Sequence, residues 1–337
     1  MSPAARPTAA PPCRPRPLRR PVRAIIGIAL LLLGAATGVF AGDADAPRAL
    51  VLFPEKDVYR EAADEILRYL RQHGDRVESI PLPAGDGDAQ QRALERCRAE
   101  RPALIITGGT ALTADALREI PDVNVLFFMV PNAADAPFLE ASGPHRNRVA
   151  GVSSDVAPSE QIEWVRHSAP RTRRLTLFYS ERTRRTAEAL DAAVRAAGVE
   201  SVLVAARVDR FAEATDAAVH NGSDGVIMIP DSQIYNAASI QHLLLWGVRE
   251  KRPVWAFSDK AVKAGAFAGI YADAGGVGRR CGELAVQMLA GKPPAEIGVV
   301  DCHTPQRAVN LHTAALIGIS ADDARRVPNV EVFGDKP

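Results

Sequence analysis

The chain is predicted to fold as an α/β protein with two doubly wound parallel-sheet lobes. Three features predict it. Short apolar runs alternate with segments whose apolar residues recur at helical spacing, the pattern of consecutive βαβ units. The alternation runs through residues 48–130, pauses, and restarts near residue 175. Several apolar runs also stop at Gly, Pro, Asp or Ser just before a helical pattern. Buried parallel strands end this way, at the sheet edge where ligands bind.

In the first unit, residues 48–53 read as a strand and 54–57 as a loop. Val58, Ala62, Ile66 and Leu70 give one apolar face to a helix over 58–71. Strands follow at 76–81, 103–107 and 124–130, with helices at 89–100 and 110–120. The junction Thr107-Gly-Gly-Thr110 ends a strand and opens a helix whose first turn carries no acid. Such a helix start can hold a small anion, but taken alone it reads first as a plain glycine turn with a threonine cap. No Gly-Lys-Ser/Thr follows, so it is not a nucleotide phosphate loop.

Residues 147–154 read as a segment crossing to the second unit, and 159–168 as a helix stopped at Ala169-Pro170. Strands are expected at 175–179, 200–205, 225–230 and 253–257, with helices at 182–197, 211–220 and up to Arg249. The run Gly225-Val-Ile-Met-Ile-Pro-Asp231 ends in a carboxylate followed by Ser232, so Asp231 either caps the next turn or holds a ligand cation. A final strand, helix and strand occupy 266–271, 274–290 and 296–300. Gly275-Gly-Val-Gly278 opens that helix, but Gly282 comes one residue late for a dinucleotide motif, and close helix packing accounts for the glycines better. The tail beyond Asp322 reads either as a last strand on the second lobe or as unstructured chain.

The first 41 residues carry the marks of export. Six arginines and no acid lie in residues 1–23, an uncharged apolar run fills 24–40, and Val39-Phe-Ala41 supplies small side chains at a cleavage site. The run is at the short limit of the roughly 17–25 residues a membrane span needs, so a cleaved signal peptide and a periplasmic protein are expected over an uncleaved anchor. No cysteine follows the run to take a lipid. Cys97, Cys281 and Cys302 remain beyond the signal. Export permits one disulfide among them, and Cys281 with Cys302 is the pair closer in sequence.

Composition excludes several functions. Without its arginine-rich start the chain has 35 basic against 40 acidic residues, and aromatics make up 5%. A mildly acidic body poor in aromatics offers no footprint for nucleic acid. There is no nucleophile elbow, paired-carboxylate motif or metal-ligand spacing, so neither an enzyme nor a cofactor or metal site is expected. His167 falls on a predicted helix and reads as an exposed or capping residue.

A set of segments in order carries a family resemblance: Val149-Ala-Gly-Val-Ser-Ser154 with Gln161-Ile-Glu163 and Ala169-Pro170; Leu177-Phe-Tyr-Ser180; Pro230-Asp231; Arg252-Pro-Val254; Val262-Lys-Ala-Gly-Ala266; Gly278 on to Leu289-Ala-Gly-Lys-Pro-Pro-Ala295; and Val309-Asn310 with Ala315-Leu-Ile-Gly318. Over about 147–324 the chain resembles the ABC transporter substrate-binding proteins of the periplasmic binding protein type I fold, relatives of tryptophan- and tyrosine-binding lipoproteins. The first half matches less, and its loop Phe53-Pro-Glu-Lys-Asp57 departs from the His-Pro loop of aromatic-amino-acid binders.

The resemblance implies two lobes joined by a hinge, lobe one from 48–148 plus about 259–293 and lobe two from 149–258 plus about 296–325. It implies an interlobe cleft that captures a small ligand, an amino acid or related zwitterion, for an ABC-type permease. Gly109 and Thr110 would hold the ligand's anion, Asp231 with Ser232 its amine, and Tyr179, Ser180, Ser258 and Asp259 would complete the site. The competing function for the same fold is a periplasmic sensor that signals to a membrane kinase or cyclase.

Overall fold

The computed structural model describes residues 48–140, 143–302, 304–320 and 329–334. The expected signal peptide lies outside the described residues. The first lobe begins with β1 (Ala49–Pro54), α1 (Asp57–Gln72), β2 (Val77–Leu82), α2 (Gly87–Glu100), β3 (Leu104–Gly108), α3 (Thr110–Glu119), β4 (Asn124–Val130) and β5 (Val149–Val156). The second continues with α4 (Pro158–Ser168), β6 (Arg174–Tyr179), α5 (Arg184–Ala196), β7 (Glu200–Ala205), α6 (Phe211–His220), β8 (Gly225–Ile227), α7 (Ala237–Arg249), β9 (Val254–Ala256), α8 (Asp259–Lys263) and β10 (Ala268–Tyr271). The chain then returns to the first lobe with α9 (Ala274–Leu289), the short α10 (Pro294–Ile297) and β11 (Val299–Cys302). It ends on the second with β12 (Gln306–Asn310), α11 (Leu311–Ile317) and β13 (Val330–Phe333).

The first sheet has the order β11-β5-β4-β3-β1-β2, parallel throughout. The second has the order β13-β12-β10-β9-β8-β6-β7, parallel except where β12 runs against β10. Central strands are apolar on both faces because helices cover both. The first five residues of β1 are all buried, and α1 lays Ala62, Ala63, Ile66, Leu67 and Leu70 against the sheet as one stripe.

The lobe boundaries differ from the expected ones in three places. Residues 149–156, expected in lobe two, form β5 beside β4 in the first sheet. Residues 259–271, expected in lobe one, form α8 and β10, and β10 pairs with β9 in the second sheet. Residues 299–302, expected in lobe two, pair with β5 in the first sheet. The reason is common to all three: each strand completes the sheet on its own side before the chain crosses. The crossings therefore fall at 156–158, 271–274 and 302–306.

Helix α9 packs along α1. A Cβ on Gly278 would fall 2.2 Å from the carbonyl oxygen of Ala62, and one on Gly282 would fall 2.7 Å from Cβ of Tyr69. These glycines serve helix contact, not a cofactor. Cys97 and Cys281 are buried free thiols, so Cys281 is not in a disulfide here. Residues 330–333 form β13 beside β12, the strand reading of the tail.

Candidate functional site

The strands of both sheets end at a cavity of about 780 Å³ between the lobes. Its floor and walls come from chain just past β4, β5, β8, β9 and β10, and from the starts of α1, α4 and α5. This is the edge where parallel sheets collect polar groups and helix N-termini. Tyr59, Met129, Val156, Trp255, Phe257 and Tyr271 make the lining largely apolar.

The end of β4 is irregular. The register against β5 slips between Phe128 and Val130, and Met129 sits at φ 54°. A bulge re-aims the residues that follow it, and a left-handed non-glycine residue is strain typical of a functional loop. Asn132 is again left-handed at φ 51°, ψ 50°. Asp155, at the end of β5, holds this turn in place. Its two carboxylate oxygens accept from the backbone N–H of Asn132 (2.6 Å) and of Ala133 (2.8 Å). Burial pushes the Asp155 carboxyl up to about 6, against the pull of those two amides, and nearby Asp301 and Asp135 push in the same direction.

From this anchored turn lobe one reaches lobe two. Asn132 Nδ2 donates to the carbonyl oxygen of Pro230 at 2.5 Å. Asp135 accepts from the backbone N–H of Arg185 at 3.2 Å and of Thr186 at 2.9 Å, and from Thr186 Oγ1 at 2.7 Å. It thereby caps α5 of the opposite lobe. Arg185 returns a bond to the carbonyl of Ala134. Lys260 and Asp57 make a further, exposed link at 3.3 Å.

Charge around the cavity is divided. Lobe one contributes Asp155 and Asp301, the latter accepting from Ser153 Oγ at 2.8 Å. Lobe two contributes both basic groups, Arg185 and Lys260, together with Asp259. The Oδ1 atom of Asn132 is buried and has no hydrogen-bond partner. Among the described residues no group of three or more His, Cys, Asp or Glu side chains is placed to hold a metal ion.

The eight residues expected at the site are not brought together. Ser258 and Asp259 line the cavity, Ser258 also capping α8 and Asp259 also accepting from Lys263 at 2.8 Å. Tyr179 and Ser180 line a separate hollow on lobe two, against Arg207, Glu213 and Gln233. Asp231 is 8% exposed and points into its own lobe, where it accepts from Ser180 Oγ (2.6 Å), Thr183 Oγ1 (2.8 Å) and the N–H of Gln233 (2.8 Å). It caps a local turn and ties β6 to β8. Ser232, the next residue, is exposed outside the cavity. Gly109 and Thr110 start α3 as expected, but the Tyr59 ring lies over Gly109, its hydroxyl 2.8 Å from where a Cβ would be. Tyr59, and not the glycine junction, faces the cavity.

Asn132, Asp155, Asp135 and Asp301 were the residues sequence reasoning missed. The signal was present for two of them. Pro131-Asn132 follows an apolar run directly, as Pro230-Asp231 does, and Asp155 follows one after Ser153-Ser154.

A family model for ABC transporter substrate binding proteins matches residues 84–332. The chain belongs to this family. The substrate-binding protein accordingly takes small ligands and works with a membrane permease. Solved structures agree on the fold. An ABC domain from Streptococcus pneumonia in complex with L-Trp is 18% identical at a TM-score of 0.64, covering 84% of this chain and 99% of its own. A ligand-free, open substrate-binding protein with adhesive properties from Clostridium difficile is 18% identical at a TM-score of 0.68, covering 86% and 99%. A periplasmic ribose ABC transporter protein from Conexibacter woesei, 13% identical at a TM-score of 0.54 over 83% and 98%, shares the type I periplasmic architecture. No curated protein matches the chain. Among the described residues no helix is long and apolar enough to cross a membrane.

Proposed function

We propose that this substrate-binding protein captures an amino acid or related zwitterion between its lobes and presents it to an ABC-type permease. The observation that carries the reading is the charge around the cavity: lobe one brings only the acids Asp155 and Asp301, and lobe two brings both basic groups, Arg185 and Lys260, beside Asp259, whose carboxylate accepts from Lys263. A zwitterion would meet opposite charges on opposite lobes, so that binding favours closure. The apolar lining suits a hydrophobic body between the charged ends. The pneumococcal neighbour holds L-Trp, a ligand of that description. The arginine-rich, apolar N-terminal segment supports export to the periplasm, the compartment where such a receptor meets its solute.

A thermal-unfolding screen against the twenty standard amino acids, nucleosides and small organic anions tests this. A ligand at a hundred times its dissociation constant stabilises the fold by about 2.7 kcal/mol. Stabilisation confined to nucleosides or to simple anions would overturn the amino-acid reading.

A further inference from the structure

Each sheet has two outer strands, and three of the four are guarded against pairing with another chain. In β2 the carbonyls of Arg76 and Leu82 turn in towards the neighbouring chain, so Pro81, one place out of phase, turns its missing donor outward. Strands β11 and β13 are only four residues long. A register shift breaks β11 beside the exposed Asp301, and β13 shows Glu331 to solvent. Strand β7 has none of these devices. It runs for six residues, and Ser201-Val-Leu-Val-Ala205 contains no proline and no charge. Val202, Leu203 and Val204 are half-buried, and Ala205 is exposed.

The backbone of β7 is open on its outer side. The N–H of Glu200 bonds to the carbonyl of Arg173 at 2.8 Å, and that of Ala206 to Tyr179 at 2.9 Å, both towards β6. Alternate residues of a parallel strand face alternate sides, so Ser201, Leu203 and Ala205 direct N–H and C=O outward. Arg195 Nη2 reaches the Ser201 carbonyl at 3.2 Å, which agrees with that phase. Among the described residues no other protein group pairs with the outward groups of Leu203 and Ala205.

We propose that β7 is the contact of a homodimer, pairing antiparallel with β7 of a second copy about a two-fold axis at Leu203. The open groups are self-complementary in that register. Leu203 exchanges both hydrogen bonds with its counterpart, and Ser201 exchanges with Ala205 of the second copy. The Ser201 carbonyl has a second lone pair, so Arg195 stays in place. Val202 of the second copy falls opposite Val204, beside the hollow that Val204, Ala206 and Val208 line. The ends are complementary too. Arg174 engages only Oε2 of Glu200, and Asp209 engages Nε and Nη2 of Arg207 but not Nη1. Antiparallel pairing brings the acidic start of one β7 to the basic end of the other, where parallel pairing would set like beside like. The contact also lies at the opposite side of the sheet from β10 and β12, next to the crossings, so it leaves the crossings free.

Sedimentation equilibrium of the protein freed of its expected signal peptide tests this. The mass is expected to double as the concentration rises towards about 1 mM. Leu203→Pro removes only an outward donor, a change that an edge strand tolerates, and Val204→Lys sets a charge against Val202 of the second copy. Each folded variant, checked by its thermal transition, is expected to raise the dissociation constant at least tenfold. Leu203→Cys reads the register. Its paired Cα atoms would lie about 5.5 Å apart, within the roughly 4.4–6.8 Å that a disulfide spans, so mild oxidation should give a covalent dimer. The two Ala205 residues would lie roughly 13 Å apart along the strands, so Ala205→Cys should not cross-link. Cys97 and Cys281 are buried and do not compete.

A wild type that stays monomeric to about 1 mM overturns the dimer and leaves the edge to an extended segment of another protein. Folded Leu203→Pro and Val204→Lys proteins that dimerise as the wild type does overturn the edge contact. Cross-linking through Ala205→Cys in preference to Leu203→Cys overturns the antiparallel register.

Discussion

Asp135 of the first lobe caps the second lobe's helix α5 at Thr186, accepting from its backbone N–H at 2.9 Å and its hydroxyl at 2.7 Å. A helix cap is ordinarily a local device, supplied by the residue just before the helix. Here it comes from the opposite lobe, so the first turn of α5 is fully satisfied only when the lobes are together. Asp135→Ala should therefore cost about 0.5–2 kcal/mol of stability, the usual worth of a cap, and widen the molecule. Urea unfolding and solution scattering read the two effects. Lost stability without expansion would show that Asp135 serves its own turn only.

Asp155 gives a pH dependence of definite sign. Its carboxyl is raised from an ordinary 3.8 to about 6, chiefly by burial, so the folded protein favours the neutral acid more than the unfolded chain does. The stability this contributes is complete below the ordinary value and is lost as the pH rises through about 6. Relative to Asp155→Asn, the wild type should lose stability between those two values, with a slope of at most about 1.4 kcal/mol per pH unit, and change little above. Denaturation midpoints of the two proteins across that range are the measurement. A relative gain with rising pH would contradict the burial argument.

Gly278 faces two opposed effects. Alanine gains about 1 kcal/mol over glycine in a helix interior. Its Cβ would meet the carbonyl oxygen of Ala62 at 2.2 Å, a backbone atom that cannot swing aside. Overpacking typically costs about 1–3 kcal/mol, and this approach is severe, so Gly278→Ala should be a net loss. Its unfolding midpoint against the wild type decides the sign.

Asp231→Ala should act on the fold. It would leave Ser180, Thr183 and the amide of Gln233 without their acceptor, at a cost of about 1–3 kcal/mol. Affinity for whatever ligand the thermal screen identifies should change little, since the carboxylate does not line the cavity. Calorimetry on the folded variant separates the two, and a large loss of affinity at intact stability would return Asp231 to the binding site.

The fold was readable because its signal is periodic. The apolar runs of β1, β3 and β4, and the stripe on α1, state their structure within a few residues. Gly278 was readable as a packing glycine for the same reason, sitting at helical spacing with Gly282. The site was less readable because it depends on partners distant in the chain. Nothing near Asp231 announces that Ser180 and Thr183 will claim its oxygens. Nothing in the run 124–130 announces a bulge at Met129, yet that bulge turns Asn132 towards lobe two. The lobe boundaries suffered likewise, since β5 and β11 look alike in sequence whichever sheet they join.

The return of α9 to α1 also governs when the protein can assemble. Ala62 and Gly278 must meet although nearly all of the second lobe lies between them along the chain. The first lobe lacks α9 and β11 until residue 302 has been made, and the second lacks β12 and α11 until residue 317. Neither lobe is a finished unit earlier, so a polypeptide emerging from its N-terminus cannot complete one lobe and then start the other. Contacts of such long sequence separation form slowly. The interleaved chain thus withholds the completion of both lobes until nearly the whole polypeptide is present.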